Sequence, residues 1–413
     1  MDKSQLSRRR FIGAAGAAGI ATAGGLVLTG GGGRDRARAQ DDVDDQGPAT
    51  PAALGEPVPE EFGVESNWPY ENYNLSATRD VKGTSISLET VGQLGDAWFF
   101  LVNSTAAFGS LTANPTIVDN VVFVQDSSAN VYAIDLESGE QIWANMYNDA
   151  VPSGGPNGTA NAYGLLYTTL GGVGDVVALR PDTGEEVWRT NLRGPMGAGI
   201  TTAPLVYNNR VVVSSVPGTS EEFYAGGLRG VIYTLDAATG AVLWYFDTTT
   251  DNLWGNPTVN SGGGFWHPPS VDEEGNIYVG IGNPGPYPGV EGWPWASSRP
   301  GDNLYTDSIL KLDPVTGVLE WYYQVLPHDV FDLDNQLTPI LAEVDGRNLF
   351  SPVGSTELSS ASTAIPARRF GASRSAPTRT TSGRSSRRTR SSRSGRARSV
   401  ASRPSSRTRT STS

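Results

Sequence analysis

Between residues 67 and 350 short apolar runs alternate with Gly-, Asn- and Asp-rich breaks, the pattern of many short strands and few helices. Four stretches repeat one design. Val131-Tyr132-Ala133-Ile134-Asp135 leads through Ser138-Gly139 to Trp143, and Val177-Ala178-Leu179 leads through Asp182-Thr183-Gly184 to Trp188. Ile232-Tyr233-Thr234-Leu235-Asp236 leads through Thr239-Gly240 to Trp244, and Ile309-Leu310-Lys311-Leu312-Asp313 through Thr316-Gly317 to Trp321. Each predicts an alternating strand, a tight Thr-Gly or Ser-Gly turn, and a second strand beginning at or just before the Trp. Upstream runs such as Thr116-Ile117-Val118-Asp119-Asn120-Val121-Val122-Phe123-Val124 supply the other hairpin. The tryptophans recur at intervals of 45, 56 and 77 residues, as four-stranded propeller blades with growing loop insertions would place them. The fold class is therefore all-β, a β-propeller of four-stranded blades. Each Trp is expected to pack between neighbouring blades in a structural role, with no chemistry of its own.

Composition narrows the chemistry. The 413 residues include 50 Gly and 27 Pro, in keeping with many turns, and no Cys. A disulfide framework, a thiolate nucleophile and a Cys-type zinc site are excluded. His267 and His328 are the only histidines, so a His-rich metal site is excluded as well.

The net charge of −12 hides two opposite parts. Residues 40–357 carry 41 acids against 10 bases, whereas residues 358–413 carry 14 Arg and no acid. The acidic part repels nucleic acid and anionic lipid. It also resembles proteins adapted to high salt, where screening weakens self-repulsion; an ordinary acidic secreted protein is the alternative.

The two ends read differently from the middle. Ser7-Arg8-Arg9-Arg10-Phe11-Ile12-Gly13 resembles the twin-arginine export signature, followed by an apolar stretch from Ala14 to Leu28 and a small-residue cleavage site at Ala37-Arg38-Ala39. Residues 1–39 are thus read as a twin-arginine signal peptide, with an uncleaved anchor as the alternative and no other transmembrane domain. Residues 40–66 read as a disordered acidic linker and 67–350 as the partial propeller. Residues 351–413 are an Arg/Ser/Thr-rich tail, disordered or frameshifted. A nucleic-acid-binding tail is one reading. A shift of reading frame is preferred, because GAC codons for Asp read one base off give ACG and CGA, for Thr and Arg. Almost no aromatic side chains stand among its arginines, as stacking modules require.

The strand–turn–Trp unit resembles the tryptophan-docking repeat of PQQ-binding propellers, the quinoprotein alcohol dehydrogenases. Trp68, Tyr70, Asn74, Thr78-Arg79, Ile86, Val91, Leu94 and Trp98 match the family's opening segment. Four blocks match in order: Gly263-Gly264-Phe265-Trp266, Gly280-Ile281-Gly282-Asn283-Pro284, Gly301-Asp302-Asn303-Leu304-Tyr305-Thr306, and Pro327-His328-Asp329-Val330-Phe331-Asp332. The family closes eight blades, and this chain has room for about five or fewer. Such an arc exposes strand edges, which sets an inactive, unclosed product beside the enzyme as an expectation.

What the resemblance implies can be carried over residue by residue. Asp332 is expected as the general base and beside the metal. Asn283 is expected to ligate the metal through its side-chain oxygen. A metal-binding Glu should precede Arg229-Gly230, where Glu221 and Glu222 both stand and Glu222 is favoured. Trp266 is expected to stack under PQQ, with Gly264 of the same block and Thr201 also on the cofactor. Asp334, two residues past Asp332, resembles the extra carboxylate of lanthanide-dependent members; a turn-forming Asp is the alternative. Ca2+ is the default ion and a lanthanide ion the alternative. His328 reads as a loop-organising hydrogen-bonder.

Three departures stand out. The adjacent-cysteine pair of many members is absent, Thr112 stands where the family has Glu, and Tyr163 stands where it has Arg. The resemblance lies nearer the cysteine-free branch that includes polyvinyl-alcohol dehydrogenase. The implied activity is oxidation of a small alcohol to an aldehyde or ketone, with electrons passed to an exported acceptor such as a cytochrome c. The implied location is periplasmic, extracellular or at the cell surface. A cofactor-free scaffold or binding propeller is the competing expectation.

Overall fold

The computed structural model describes residues 67–351 apart from 82, 103, 105, 107–108, 152, 194–197, 219–223 and 345–346, with backbone alone for 343–351. The expected signal peptide, linker and tail, and both Glu221 and Glu222, lie outside the described residues.

Four antiparallel four-stranded meanders follow one another along the chain. Blade 1 comprises Thr116–Val118, Val121–Gln125, Val131–Asp135 and Gln141–Asn145. Blade 2 comprises Thr159–Ala162, Leu165–Leu170, Asp175–Leu179 and Glu186–Asn191. Blade 3 comprises Leu205–Tyr207, Arg210–Ser214, Arg229–Asp236 and Val242–Asp247. Blade 4 comprises Ser270–Val271, Ile277–Gly280, Ser308–Leu312 and Leu319–Gln324. A hairpin, Ile340–Val344 with Arg347–Ser351, comes next. The sequence reading of five blades or fewer thus becomes four complete blades and this hairpin among the described residues.

The middle strands of a blade are covered on both faces. Leu165–Leu170 and Asp175–Leu179 are buried along their whole length, whereas the outer strand Glu186–Asn191 alternates between exposed and covered positions. That explains the near-continuous apolar runs of the middle strands. The core is correspondingly a series of layers between blades. Val176, Ala178 and Trp188 of blade 2 pack with Val211, Val213 and Tyr233 of blade 3. Ile232, Trp244 and Phe246 of blade 3 pack with Ile277, Leu310 and Leu312 of blade 4.

One tryptophan joins each blade to the next. The indole N–H of Trp143 donates to the Pro181 carbonyl (2.9 Å), that of Trp188 to Ala237 (2.9 Å) and that of Trp244 to Pro314 (2.9 Å). Each acceptor lies three residues before the turn glycine of the following blade. In the first two the ring lies on that glycine: a Cβ on Gly184 would fall 2.7 Å from Trp143, and one on Gly240 2.5 Å from Trp188. Both glycines also hold the left-handed conformation (φ 75° and 73°), so two independent requirements exclude a side chain. Trp98, upstream of blade 1, docks in the same way, donating to Leu136 (2.8 Å) and covering Gly139. The turns share a further device. Asp135 Oδ1 accepts the N–H groups of Glu137 and Ser138, and Asp236 and Asp313 do the same in blades 3 and 4. Blade 2 has Arg180 at that position and keeps the turn through the Gly184 N–H to Arg180 carbonyl bond (2.8 Å).

The segment 67–79 crosses the inner strands as a strap. Trp68 exchanges both backbone hydrogen bonds with Ile117 of blade 1 (2.6 and 2.8 Å), and the Pro69 carbonyl accepts from Asn161 of blade 2 (2.9 Å). The Leu75 carbonyl accepts from Val271 of blade 4 (2.8 Å), and Ser76 accepts from Leu341 of the last hairpin (3.3 Å). Tyr70 and Leu75 add their side chains to the core between blades 2 and 3.

These contacts set a stability expectation. Trp188 is 4 % exposed, while Trp143 is half-buried. Trp188→Ala should cost about 3–5 kcal/mol, and Trp143→Ala less, as read from the midpoint of urea denaturation. Equal losses would contradict the docking account.

Candidate active site

Blade 3 and blade 4 are stitched together by short strands. Ser261–Gly263 pairs in parallel with Arg229-Gly230 and antiparallel with Pro284–Gly285. The backbones touch. A Cβ on Gly230 would fall 1.8 Å from the Gly264 nitrogen, and one on Gly264 2.2 Å from the Ser215 carbonyl. Gly264 also accepts the Gly282 N–H (2.8 Å), and Asn283 accepts the Gly263 N–H (3.0 Å). This ladder of glycines fixes Trp266 and Asn283 on neighbouring segments.

The Trp266 indole, 7 % exposed, fits among three more glycines. Built Cβ atoms would reach it at 2.2 Å from Gly155, 2.6 Å from Gly218 and 3.2 Å from Gly282. The Gly155 Cβ would also lie 3.4 Å from Thr201 Oγ1, so Thr201 and Trp266 flank one point. The Gly282 Cβ would stand 3.1 Å from Asp334 Oδ1 and 3.2 Å from Trp266 Nε1, between the ring and the carboxylate.

Oxygen atoms gather beyond Gly282. The Asn283 backbone N–H donates to Asp334 Oδ1 (2.7 Å), and Asn283 Oδ1 accepts from the Tyr224 hydroxyl (2.6 Å). The Tyr287 hydroxyl faces the Asp332 carboxylate. Tyr224 and Tyr287 meet edge-on with centroids 5.5 Å apart. The turn carrying the two Asp residues is built by Asp329, whose carboxylate accepts the N–H groups of Phe331 and Leu333 (2.7 Å each). Asp332 and Asp334 both take left-handed backbone (φ 63° and 47°), which Asp tolerates better than most residues.

The electrostatics are lopsided. Asp307, Asp329, Asp332 and Asp334 share this region with one buried cation, Arg299. Burial, then the charge of Asp329 and then that of Asp334, push the Asp307 carboxyl well above the usual range. Neither Asp307 oxygen has a hydrogen-bond partner, and the residue is 1 % exposed. Burial also raises Asp332, with the Tyr287 hydroxyl opposing. Asp334 is pushed up to about 7, chiefly by burial, with the Asn283 N–H opposing and the charges of Asp332 and Asp329 adding.

The structure therefore brings together Trp266, Thr201, Asn283, Asp332 and Asp334, with Gly264 in the ladder beneath. Glu222 lies outside the described residues. Among the described residues no three His, Cys, Asp or Glu side chains form a group that could hold a metal ion by themselves. The oxygen set offered is two carboxylates and an amide. Thr112, at the family's Glu position, donates to the Gly155 carbonyl (2.9 Å) and so supports the glycine behind Trp266. Tyr163 instead accepts the Asn209 N–H (3.0 Å). His328 Nδ1 lies 3.1 Å from the Gly301 carbonyl, in keeping with a loop-organising role.

Sequence reasoning missed Tyr224, Tyr287, Asp307 and Arg299. Asp307 follows the Gly301–Thr306 block directly, so it could have been found by extending that block by one residue. The tyrosines lie in loops without a pattern and were not findable that way.

The fold has counterparts among known proteins. Residues 193–353 match the family model described as the PQQ-type glucose/ethanol/alcohol dehydrogenase β-propeller domain. The chain carries a PQQ-type β-propeller domain and is a relative of the quinoprotein alcohol dehydrogenases over about two-thirds of its length. It is 31% identical over 314 residues to a quinohemoprotein alcohol dehydrogenase of Comamonas testosteroni, a match covering 67% of this chain and 41% of the relative. It is 29% identical over 313 residues to quinohemoprotein alcohol dehydrogenase ADH-IIG of Pseudomonas putida, covering 68% and 41%. The crystal structure of the Comamonas testosteroni protein superposes with a TM-score of 0.59 at 29% identity, over 69% of this chain and 45% of that one. The chain thus spans less than half the length of these relatives.

A pH dependence follows from Asp334. Its carboxyl rises from 3.8 to about 7 on folding, so the folded state holds the proton more tightly. That contribution is complete below pH 3.8 and is lost as pH rises through about 7, by roughly 4 kcal/mol at most. Asp334→Asn should gain on the native chain across that window, in urea denaturation with chelator present. A gap that does not change with pH would remove Asp334 as its source.

Proposed function

We propose that this chain is the PQQ- and metal-binding part of an exported alcohol dehydrogenase. One observation carries the reading: a glycine-cradled indole flanked by Thr201 lies across Gly282 from the Asp334 carboxylate, which accepts the Asn283 N–H, with Asp332 two residues away. A scaffold propeller has no need of that combination.

The residues fit the two groups the reading requires. Among the described residues two buried carboxylates, Asp307 and Asp329, and two half-buried ones, Asp332 and Asp334, share the region with one buried arginine, and both orphaned oxygens of Asp307 express the same shortage of positive charge. Hard cations take such oxygen donors, so Asn283, Asp334 and Asp332 would hold the ion, with Glu222 as the expected further ligand. Ca2+ suits this set, and the second carboxylate, Asp334, also suits a lanthanide ion. Trp266 offers a flat face and Thr201 a hydroxyl for PQQ, with Gly264 giving close backbone approach. When bound, the quinone supplies the hydride acceptor and the cation polarises it.

The chain's own residues supply the rest. Asp332 is the base, taking the alcohol's hydroxyl proton at its carboxylate. Burial raises its proton affinity toward the working pH, which favours that role. Tyr287 orients the Asp332 carboxylate, and Tyr224 orients the Asn283 amide by donating to Oδ1. Electrons then pass to an exported acceptor such as a cytochrome c. The twin-arginine signature at residues 7–13 supports export to the periplasm or cell surface.

Reconstitution tests the reading. With PQQ and either Ca2+ or La3+, tryptophan fluorescence should be quenched, and an alcohol should reduce an artificial electron acceptor. Asp332→Ala should lower that rate by about 100-fold or more while leaving the quenching intact. Absence of cofactor uptake would favour the scaffold reading.

A further inference from the structure

The turn that carries Asp332 is held by a side chain from another loop. Arg299 is fully enclosed, the largest completely buried side chain described. Enclosing a guanidinium costs several kcal/mol unless its N–H groups are satisfied; here the two terminal arms find partners while Nε finds none, and burial pushes the pKa down to about 10. One arm donates to Asn303 Oδ1 and the other to the backbone carbonyl of Asp329. The second arm also reaches the Pro286 carbonyl, at 3.4 Å. Pro286 precedes Tyr287, and Asp329 builds the turn to Asp332. One planar group therefore touches the roots of both loops, the one carrying Tyr287 and the one carrying Asp332, whose side chains face each other.

Two further bonds close the clasp. Asn303 returns its side-chain amide to the Arg299 carbonyl (2.9 Å) and its backbone N–H to the Pro327 carbonyl (2.8 Å). Among the described residues Arg299 makes no ion pair with a carboxylate; its hydrogen bonds all go to carbonyl and amide oxygens. A fork of fixed N–H directions suits that task, and a lysine ammonium does not.

We propose that Arg299 is a positioning residue, which sets the direction of the Asp332 carboxylate by holding the Asp329 carbonyl and joining its loop to that of Tyr287. The role rests on Asp332 being the proton acceptor, but the clamp itself can be measured without turnover. Arg299→Lys keeps the charge and removes the fork. In the full chain without cofactor, hydrogen exchange read by mass spectrometry should quicken at least about 10-fold in the peptide spanning 327–335. The strands Ser308–Leu312 and Leu319–Gln324 should exchange as before. In the PQQ- and Ca2+-loaded protein, quenching should stay within about twofold, KM for the alcohol should change little, and kcat should fall about 10- to 100-fold.

Unchanged exchange at 327–335, faster exchange throughout blade 4, or native kcat would each overturn the proposal. If the native chain takes up PQQ but oxidises no alcohol, the dehydrogenase reading fails while the exchange result still decides the clamp. Should Arg299→Lys not fold, Asn303→Ala frees one arm of the fork and should give a smaller acceleration confined to the same peptide; no acceleration there would overturn the clamp.

Discussion

A single contact repeated along the arc makes the fold: an indole from one blade laid on the turn glycine of the next. It combines a hydrogen bond, a flat apolar surface and a site where no side chain can stand. Each element depends on the others. A β-carbon on the glycine would displace the ring, and a displaced ring would leave the turn carbonyl unpaired in a buried layer. Because the contact always runs from one blade to its successor, the blades are ordered by local chemistry, and loops between them can lengthen without disturbing the arc.

That tolerance matters for the site. The longest insertions lie in blade 4, and they bring in Trp293, Trp295, Tyr287 and Arg299 between two of its strands. Blade geometry supplies a rigid frame, while the chemistry-bearing groups come from loops anchored to it. The anchoring is polar rather than apolar. Asp329 caps its own turn, Arg299 and Asn303 clasp two loops, and glycine backbones stack where blades 3 and 4 meet. The cost of this arrangement is a crowd of buried and half-buried carboxylates, a local instability that a cation would relieve.

Much of the fold was legible in the sequence because its strongest constraint is local. Turn glycine, preceding Asp or Ser/Thr and following Trp lie within a dozen residues, so spacing alone exposes the blades. The blocks around Trp266, Asn283 and Asp332 were visible through their resemblance to a known family, and the structure sets Trp266 and Asp334 on either side of Gly282, next to Asn283. What stayed hidden depends on contacts between distant residues. Thr112 looked like a lost cofactor contact, yet it steadies Gly155 behind the indole 43 positions away. Arg299 looked like any loop arginine until the carbonyl of Asp329, 30 positions on, was placed against it. Asp307 stands directly after the Gly301–Thr306 block, yet nothing beside it in the chain announces that both its oxygens are orphaned.

The strap at residues 67–79 has a bearing on how the molecule comes apart. Docking tryptophans couple only adjacent blades, and an array built from such links alone would be free to fray from either end, one unit at a time. The strap bonds directly to blades 1, 2 and 4 and to the final hairpin. Thirteen residues thus impose a common fate on units that could otherwise melt in sequence, turning a row of dominoes into a bundle bound by one cord.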